Sequence, residues 1–435
     1  MKKKGHNQRL RTVAGGGQLT FPERHSWFRP RLRESQSNPA AFMAFFGMSA
    51  SVICGIEVNY CMADYLYIHI PFCVRKCLYC DFTSVPYDEE QANNYAEALC
   101  KELVLKKHEA GNLKTVYIGG GTPSLMSEQF FEILFSCLTA NFRFAPQAEI
   151  TVEANPGTLS KAKLGILVSM GINRISFGIQ SFQDNELKAL GRIHTSREAV
   201  TALEMAKKAG LTNISLDLMY GIPGQTSATW RDTLKNAVKL APSHISAYEL
   251  TPEKGTPLFC LLEEKRIELP DEERVLEMYD DAIDYLAAND YGHYEISNFA
   301  RPGFTCRHNM NYWNRGEYIA AGAGAHSFIA GVRTRNTGNI PVYIDRLRTG
   351  TLPVEESLTI SATEALREQL FLGLRKTDGI PLAGLEPTGI NITEAAAELI
   401  EEGYLEIAGE NLRLTRKGLV LSNTVIVTLF EKLGL

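Results

Sequence analysis

Between residues 64 and 250 the sequence repeats one unit six times: a short β-branched or aromatic run, a loop marked by Gly or Pro, and a helical stretch. The predicted strands are 65–70, 115–118, 149–153, 174–177, 213–219 and 244–250. The connections are long enough to return the chain for a parallel neighbour. The pattern therefore predicts an α/β fold, a partial (β/α)6 barrel, with a doubly wound open sheet as the alternative.

Two of the predicted helices carry signals for their own boundaries. Thr195 and Glu198 form a capping box at the start of a helix that ends at Gly210. A second helix begins near Ser160 and is followed by Gly171. These signals fix the length of two of the crossovers between parallel strands.

The unusual loops of the repeat lie at the carboxyl ends of predicted strands. A cysteine-rich loop follows the first strand, GGGTPS (119–124) follows the second, and YGIPGQ (220–225) follows the fifth, while the third strand ends in EANPGT (153–158). Functional sites of barrel folds collect at this face, because loops vary there without disturbing the core. The sequence therefore predicts one shared pocket.

Composition narrows the class of protein. The 435 residues are 45% hydrophobic, enough for two or three domains, and the net charge is -5 with a pI of about 6.1. That charge argues against binding to nucleic acid, which requires clustered positive charge. Nine cysteines are an odd number in a chain too large to need disulfides, so a reducing, cytoplasmic location is predicted.

Three of the nine cysteines, Cys73, Cys77 and Cys80, lie within eight residues and are the predicted metal ligands. Three thiolates are too few to saturate a four-iron cluster, so one iron would stay open to another ligand. The alternative is a zinc site. Zinc usually takes four ligands in paired C-x2-C groups, and the sequence has no second pair.

Residues 1–61 do not match the rest of the chain. They hold nine Lys or Arg and three Glu, a balance of +6, and the stretch 35–56 is uncharged. This order imitates a signal peptide or membrane anchor, but Gly and Ser interrupt the apolar run. We expect an over-extended reading frame or a disordered extension, with the start at Met62 and no transmembrane anchor; a transit peptide is the alternative.

The segment YIHIPFCVRKCLYCDF (67–82) resembles the signature of radical S-adenosylmethionine (SAM) proteins. That resemblance implies a [4Fe-4S] cluster on the three cysteines, with SAM bound to the open iron and split to a 5′-deoxyadenosyl radical. GGGTPS is similar to the family segment that contacts the SAM amino group. The protein's part in such chemistry is to orient the cofactor and exclude water.

Residues 62–435 resemble the branch of this family built around oxygen-independent coproporphyrinogen oxidase. The resemblance implies a reacting SAM and a second SAM or substrate site, and it identifies no catalytic side chain. The residues implied for the reacting SAM are Tyr67, Gly120, Glu153 and the cysteine loop with Tyr79; those for the second site are Gly121, Thr122, Gln180, Arg192 and Asp217.

Two departures separate the chain from those oxidases: Phe82 stands where their motif has a further cysteine, and their N-terminal arm has no counterpart before Tyr67. The segments YEISNFARPG (294–303), CRHNMNYW (306–313) and GAGAHS (322–327) instead resemble HemW-type heme chaperones. That resemblance implies heme binding and delivery to acceptor hemoproteins, respiratory ones among them, with a reductant such as flavodoxin or ferredoxin. The alternative is an oxygen-independent coproporphyrinogen III dehydrogenase.

Imidazole is a good axial ligand for heme iron, and aromatic side chains suit a porphyrin face. His308, with Tyr312 and Trp313, is therefore the predicted heme locus, and His326 is the second candidate. A histidine among aromatic residues is also often a hydrogen-bonded structural residue. Both interpretations of His308 stay open in the sequence.

The predicted domains are residues 62–345, the barrel with its heme-associated segment, and residues 355–435. The latter read as helices and a small strand pair with a turn near Gly409, which looks like the winged-helix-like α+β domain of the same family. Winged helices often bind DNA. Seven basic against thirteen acidic residues in 355–435 favour packing or partner docking instead.

Overall fold

The computed structural model describes residues 62–384 and 391–435, so the predicted extension 1–61 lies outside the described part of the chain. The strands there are β1 (Ala63–Ile70), β2 (Phe72–Cys73), β3 (Val85–Pro86), β4 (Ala110–Gly120), β5 (Arg143–Ala154), β6 (Arg174–Gln180), β7 (Asn213–Tyr220), β8 (His244–Glu249), β9 (Gly292–Glu295), β10 (Asn298–Ala300), β11 (Ile319–Ala321), β12 (His326–Ile329), β13 (Val332–Asn336), β14 (Val354–Thr359), β15 (Ile380–Pro381), β16 (Leu405–Ala408) and β17 (Asn411–Leu414). The helices are α1 (Glu89–Lys106), α2 (Glu128–Asn141), α3 (Lys161–Ser169), α4 (Asp184–Ala189), α5 (Ser196–Lys208), α6 (Ser227–Lys239), α7 (Pro257–Glu263), α8 (Glu272–Ala287), α9 (Arg307–Trp313), α10 (Ile340–Arg348), α11 (Ala362–Gly373), α12 (Ile392–Glu401), α13 (Arg416–Val420) and α14 (Ser422–Leu433).

The main sheet has the order β11-β1-β4-β5-β6-β7-β8-β10-β9. The six predicted strands are β1 and β4 to β8, and each pairs in parallel with the next one along the chain. A doubly wound sheet reverses its strand order, whereas this order advances in one direction. The predicted partial (β/α)6 barrel is therefore confirmed, and the doubly wound alternative is wrong.

Short strands that the sequence did not reveal extend both edges of the barrel. β11 pairs in parallel with β1, with Leu66 opposite Ile319, and β10 pairs antiparallel with β8. Both additions come from the segment after residue 290, which contains the HNMNYW motif. That segment is therefore part of the barrel wall.

The predicted helix boundaries are confirmed. Thr195 caps α5 and receives the reciprocal hydrogen bond from Glu198, and Gly210 follows the helix with φ of +95°. Ser160 caps α3, whose chain turns at Gly171 with φ of +94°. Positive φ values at these two positions explain why both helices stop at a glycine.

The inner face of the barrel is polar along its whole length. Alternate strand residues such as Leu66, Ile68, Val116, Phe177 and Leu216 are fully buried in the main hydrophobic core. The residues between them point the other way and hydrogen-bond between neighbouring strands, as the pairs Tyr117–Glu153, Ser176–Asp217 and Ser215–His244 show. Most barrels of this type fill their interior with branched apolar side chains. This interior holds polar groups and suits a polar ligand.

A buried ion pair fixes the GAGAHS segment against α1. The carboxylate of Glu102 accepts hydrogen bonds from Lys106 at 2.7 Å, the Gly322 amide at 2.8 Å, Asn336 at 2.7 Å and the Tyr343 hydroxyl at 2.6 Å. All four lone-pair sites of the buried carboxylate are thus used, which offsets the cost of its burial. The seam between β11 and β1 is held by this network.

Two three-stranded sheets and the parallel pair β2–β3 complete the sheets of the described structure. β12, β13 and β14 form an antiparallel sheet, and β15, β17 and β16 form another beside α11 to α14. The turn between β16 and β17 contains Gly409 with φ of +61°, so the predicted α+β arrangement after residue 355 is present. The domain boundaries at 345 and 355 stay a prediction. Among the described residues, no helix combines the length and apolar character that crossing a membrane requires.

Candidate functional site

The cysteine loop is closed at its base by two main-chain hydrogen bonds. The amide of Val85 donates to the Pro71 carbonyl and that of Tyr87 to the Cys73 carbonyl, both at 2.8 Å. Residues 74–84 therefore leave the barrel and return beside the end of β1. All three predicted ligands, Cys73, Cys77 and Cys80, lie on or at the edge of this closed loop and are partly exposed.

The loop is anchored to its neighbours through Leu78. Its amide donates to the Leu190 carbonyl at 3.1 Å, and its carbonyl accepts from the Leu258 amide at 2.9 Å. Gly191, which follows Leu190 in the chain and has φ of +73°, packs against the same residue: a Cβ there would lie 2.9 Å from Cγ of Leu78. Glycine is required at this contact, because any side chain would displace the loop.

Polar groups reach two of the three sulfur atoms. The Thr122 hydroxyl donates to Sγ of Cys73 and the Arg192 guanidinium donates to Sγ of Cys77, each at 3.4 Å. Burial raises the pKa of Cys73 and raises that of Cys80 to about 11, and nearby thiols add to both effects. Cys73 and Cys80 therefore hold their protons more tightly than exposed thiols do, and binding iron would have to release them.

The donor set fits a [4Fe-4S] cluster. Such a cluster takes each thiolate on a separate iron, so its ligands need not converge on one point. Among residues 62–384 and 391–435, no three His, Cys, Asp or Glu side chains are grouped to hold a single metal ion. Cys73, Cys77 and Cys80 instead influence one another electrostatically from separate positions on one loop.

The glycine segment after β4 packs directly on the cysteine loop. The amides of Gly121 and Thr122 donate to the carbonyls of Ile70 and Phe72 at 2.8 and 2.7 Å. A Cβ on Gly121 would lie 2.7 Å from the Phe72 carbonyl and 3.0 Å from Sγ of Cys73. Gly120 has φ of +117°. The glycine run therefore permits the close approach of two loops.

Glu153, at the end of β5, faces this segment. Its carboxylate accepts from the Tyr117 hydroxyl at 2.8 Å and from the Gly120 amide at 3.1 Å. Burial raises the pKa of Glu153 to about 7; the Tyr117 hydrogen bond opposes this and the charge of Asp217 adds to it. Near neutral pH this carboxyl can hold or release a proton, or pair with a cationic ligand.

Tyr67 and His69 form a relay that the sequence prediction included only in part. Nε2 of His69 lies 2.9 Å from the Thr83 carbonyl, so it carries the proton, and Nδ1 accepts from the Tyr67 hydroxyl at 3.0 Å. Burial lowers the pKa of His69, which keeps the ring neutral. His69 thus ties the inner face of β1 to the cysteine loop, and a polar residue inside a buried strand was its signal.

The other residues predicted for the second site lie on the adjoining strands, as Gln180 and Asp217 do, or in the loop before α5, as Arg192 does. Arg192 donates to the Gly178 carbonyl, and burial raises the pKa of its neighbour Tyr79. Asp217 accepts from Ser176 at 3.1 and 3.2 Å. Gln180 is buried with φ of +71°, a conformation that costs a non-glycine residue energy and often marks a functional position.

His308 lies inside the barrel, toward the amino ends of the strands. Nδ1 lies 2.6 Å from the Thr115 hydroxyl and Nε2 lies 2.9 Å from the Tyr312 hydroxyl, while the Tyr117 ring stacks on it at 5.1 Å. Burial, with the charge of Arg174, lowers the pKa of His308 to about 3. In this conformation neither ring nitrogen is available to iron, so ligation by His308 would require one hydrogen bond to open.

The other heme candidates are dispersed. Trp313 is half-buried, and its Nε1 has no hydrogen-bond partner in the described part of the chain. His326 is exposed at the start of β12, in a different sheet from the barrel. The structure therefore brings His308 and Tyr312 together but leaves His326 on a separate element.

Two buried charges near His308 escaped the sequence prediction. The carboxylate of Glu149 accepts from the amides of Arg307 and His308 at 3.4 and 3.3 Å, so it caps α9. Arg174 is 2% exposed, and its Nε and Nη1 atoms have no hydrogen-bond partner among the residues described. The signal for Glu149 was the polar spacing Glu149, Thr151, Glu153 inside an otherwise apolar strand.

Comparison with known proteins matches this chain to two family models and to full-length relatives. Residues 67–237 match the radical SAM superfamily and residues 360–421 match the HemN C-terminal domain. The heme chaperone HemW of Bacillus subtilis is 37% identical over 373 residues, which cover 82% of this chain and 97% of that protein. HemW of Escherichia coli is 35% identical, over 83% of this chain and 96% of that protein.

The chain belongs to the HemW family. Its relatives include a Danio rerio protein named radical S-adenosyl methionine domain-containing protein 1, mitochondrial, which is 32% identical over 85% of this chain and 87% of that protein. Among solved structures, coproporphyrinogen III oxidase (HemN) from E. coli, a radical SAM enzyme, superposes with a TM-score of 0.74 over 86% of this chain and 91% of that one.

The HemN likeness, at 21% identity, shows a shared fold. HemW membership, by contrast, rests on identity over nearly the whole length of the relatives. In this HemW-family chain the position of the oxidases' further cysteine holds Phe82, whose side chain is 57% exposed at the edge of the cysteine loop. The oxidase alternative fits these observations less well than the chaperone family does.

Proposed function

We propose that this chain is a heme chaperone of the radical SAM type, which binds heme and passes it to acceptor hemoproteins. The observation that carries the proposal is the 37% identity with a heme chaperone over 97% of that protein's length. The polar barrel interior and the closed cysteine loop give it a physical basis. We propose residues 62–345 and 355–435 as its two functional units.

We propose that Cys73, Cys77 and Cys80 hold a [4Fe-4S] cluster and that Tyr67, Tyr79, Gly120 and Glu153 bind the SAM on its open iron. When both are bound, the cluster and SAM supply one-electron reduction of the SAM sulfonium. Glu153 would accept a hydrogen bond from the SAM amino group, since its carboxylate already orders the Gly120 amide. Tyr67, held in place by its hydrogen bond to His69, would line the same site.

We propose that a second SAM or substrate position is lined by the remaining predicted residues, Gly121, Thr122, Gln180, Arg192 and Asp217. Arg192 has a second role that its contacts support. Its guanidinium donates to Sγ of Cys77 at 3.4 Å, so its positive charge would offset part of the negative charge of a reduced cluster. An external reductant such as flavodoxin or ferredoxin is proposed to dock at the exposed loop edge.

We propose that heme is held near α9, where His308, Tyr312 and Trp313 lie, with His326 as a second candidate ligand. Imidazole ligation would follow release of Nε2 from the Tyr312 hydroxyl, a contact of 2.9 Å. Tyr312 would then be free to turn toward the porphyrin. A cytoplasmic location is part of the proposal, because an iron-sulfur site needs a reducing compartment.

The test is a heme titration of the anaerobically reconstituted chain, followed by a transfer assay. We expect one equivalent of heme to bind and to move to an apo-hemoprotein, with no decarboxylation of coproporphyrinogen III under reducing conditions. Decarboxylation without saturable heme binding would support the dehydrogenase instead. Zinc in place of iron and sulfide in the purified protein would remove the basis for both.

A further inference from the structure

A cavity of about 610 Å³ opens at the amino-terminal end of the barrel. Its walls are the start of β1 and β4, residues 145–147 of β5, and the outer side of α9. The cysteine loop leaves β1 at the opposite, carboxyl end, so this cavity is separate from the cofactor pocket. Its volume lies within the roughly 300–1,000 Å³ that is usual for organic ligand sites.

The cavity exposes a different side of the HNMNYW motif from the one that points into the barrel. Met310 lines it and is partly exposed, whereas His308 on the inner side of the same helix is 1% exposed and bonded at both nitrogens. A thioether is an established ligand for heme iron and needs no deprotonation to bind. Met310 is therefore the iron-binding side chain of α9 that is open to a ligand in this conformation.

An aromatic wall separates the cavity from His308. Tyr65 lines the cavity, and its ring centroid lies 6.4 Å from that of His308. Tyrosine offers a flat apolar face with a polar end, which suits the face of a large conjugated ring. Ala145 and Pro146 add apolar wall opposite α9.

Two cations stand at the rim. Lys114 is exposed and pairs with Asp64 at 2.8 Å, and Arg307 donates to the carbonyl of Lys114. The hydrogen bond and charge of Asp64 raise the pKa of Lys114, and the nearby positive charge of Arg307 opposes this to a smaller extent. Like charges held together at a cavity mouth, with one acid between them, favour a ligand that carries more than one negative charge.

We infer that heme docks in this amino-terminal cavity, with Met310 as an iron ligand and with Lys114 and Arg307 paired to the propionates. The inference deepens the proposed function and rests on it, since it names the face of the barrel that receives the cargo. Heme would then be loaded and released at one end of the barrel while the cluster and SAM occupy the other. Heme would reach His308, on the inner side of α9, only after the hydrogen bond between its Nε2 and the Tyr312 hydroxyl opens.

The experiment titrates heme into the anaerobic, cluster-loaded full chain. The double variant Lys114→Glu/Arg307→Glu is expected to bind heme at least about tenfold more weakly than the parent, a loss of about 1.4 kcal/mol. Its binding should also lose the salt dependence of the parent. Lys208→Glu/Lys239→Glu is the matched control, because both lysines are exposed at helix ends and the net charge changes equally.

Two further variants test the cavity without changing charge. Met310→Leu keeps the volume but removes the thioether, so it should alter the spin state of bound ferrous heme while ferric affinity changes less than about threefold. Ala145→Trp fills the cavity and should weaken binding at least about tenfold. Iron and sulfide content and the unfolding temperature report whether each variant is intact.

The outcomes separate the two claims. If the parent shows no saturable heme binding, the proposed function and this inference both fall. If the parent binds heme and the rim, Met310 and Ala145 variants behave like the lysine control, the cavity is not the heme site and only this inference falls. Weaker binding in the rim and filled-cavity variants, with an unchanged control, supports it.

Discussion

Replacing Glu153 by glutamine removes the charge of this carboxyl while keeping its shape. Burial raises its pKa from an ordinary 4.5 to about 7. Because the folded state holds the proton more tightly than the unfolded state, the carboxyl's contribution to stability is complete below pH 4.5 and is lost as pH rises to about 7. The difference between the two pKa values corresponds to about 3 kcal/mol of folding free energy.

We therefore expect the stability of Glu153→Gln relative to the parent to increase by up to about 3 kcal/mol between pH 4.5 and a pH above 7. Urea denaturation of the unloaded chain at several pH values measures this difference. The amide oxygen still accepts from the Tyr117 hydroxyl, whereas the Gly120 amide loses its acceptor, a cost that does not depend on pH. A stability difference independent of pH would refute the assignment of the buried charge to Glu153.

The same substitution tests the proposed contact with SAM. The ionised carboxylate is the strong hydrogen-bond acceptor for the SAM amino group, so the parent should lose up to about eightfold in SAM affinity between pH 7.5 and pH 6 for a pKa of about 7. In Glu153→Gln the affinity should be weaker at pH 7.5 and nearly flat over that range. Calorimetry of the cluster-loaded chain measures both, and Glu149→Gln, on the same strand at the other end of the barrel, should retain the parent's profile. An unchanged pH profile in Glu153→Gln would remove Glu153 from the SAM site.

Two more substitutions follow from the packing. Gly121→Ala should cost about 1–3 kcal/mol and reduce bound iron and sulfide by half or more, because its Cβ would lie 2.7 Å from the Phe72 carbonyl; Gly165→Ala, with open space around its Cβ in α3, should instead keep full cluster content and gain up to about 1 kcal/mol. Normal iron content in Gly121→Ala would show that the two loops can move apart. His308→Ala should lower heme occupancy while cluster absorption persists, and should cost about 2–5 kcal/mol because the Thr115 and Tyr312 hydroxyls lose their partner; an unchanged heme titration would reject His308 as a ligand.

The strands of the barrel were predictable because each combines a β-branched run with a glycine or proline at its end. The edge strands were not, because three residues such as those of β10 and β11 carry no periodic signal. They are strands only because β8 and β1 offer open edges to pair with. Tertiary pairing, and not local preference, decides such short elements.

The candidate site likewise contains some features that the sequence predicts and others that only the fold shows. The cysteine spacing and the glycine run after β4 are local patterns, and the structure brings them into contact as expected. The environment of His308 is not local, because its Thr115 partner lies 193 residues earlier in the chain. A sequence shows that such a histidine sits among aromatic residues, but only the fold shows that both nitrogens are occupied. The cavity beside Met310 likewise depends on three distant segments.

The seam between β1 and β11 sets an order for assembly during synthesis. The outer edge of β1 stays unpaired at Leu66 until Ile319 has been synthesised, so a nascent chain extends by about 250 residues with that edge open. An unpaired strand edge is a template for association with other chains. A fragment that stops before β11 keeps this edge open although it already contains α9, so the chain that follows the HNMNYW motif is what seals the barrel. Sealing of the barrel edge therefore follows the synthesis of β11, one short loop after α9.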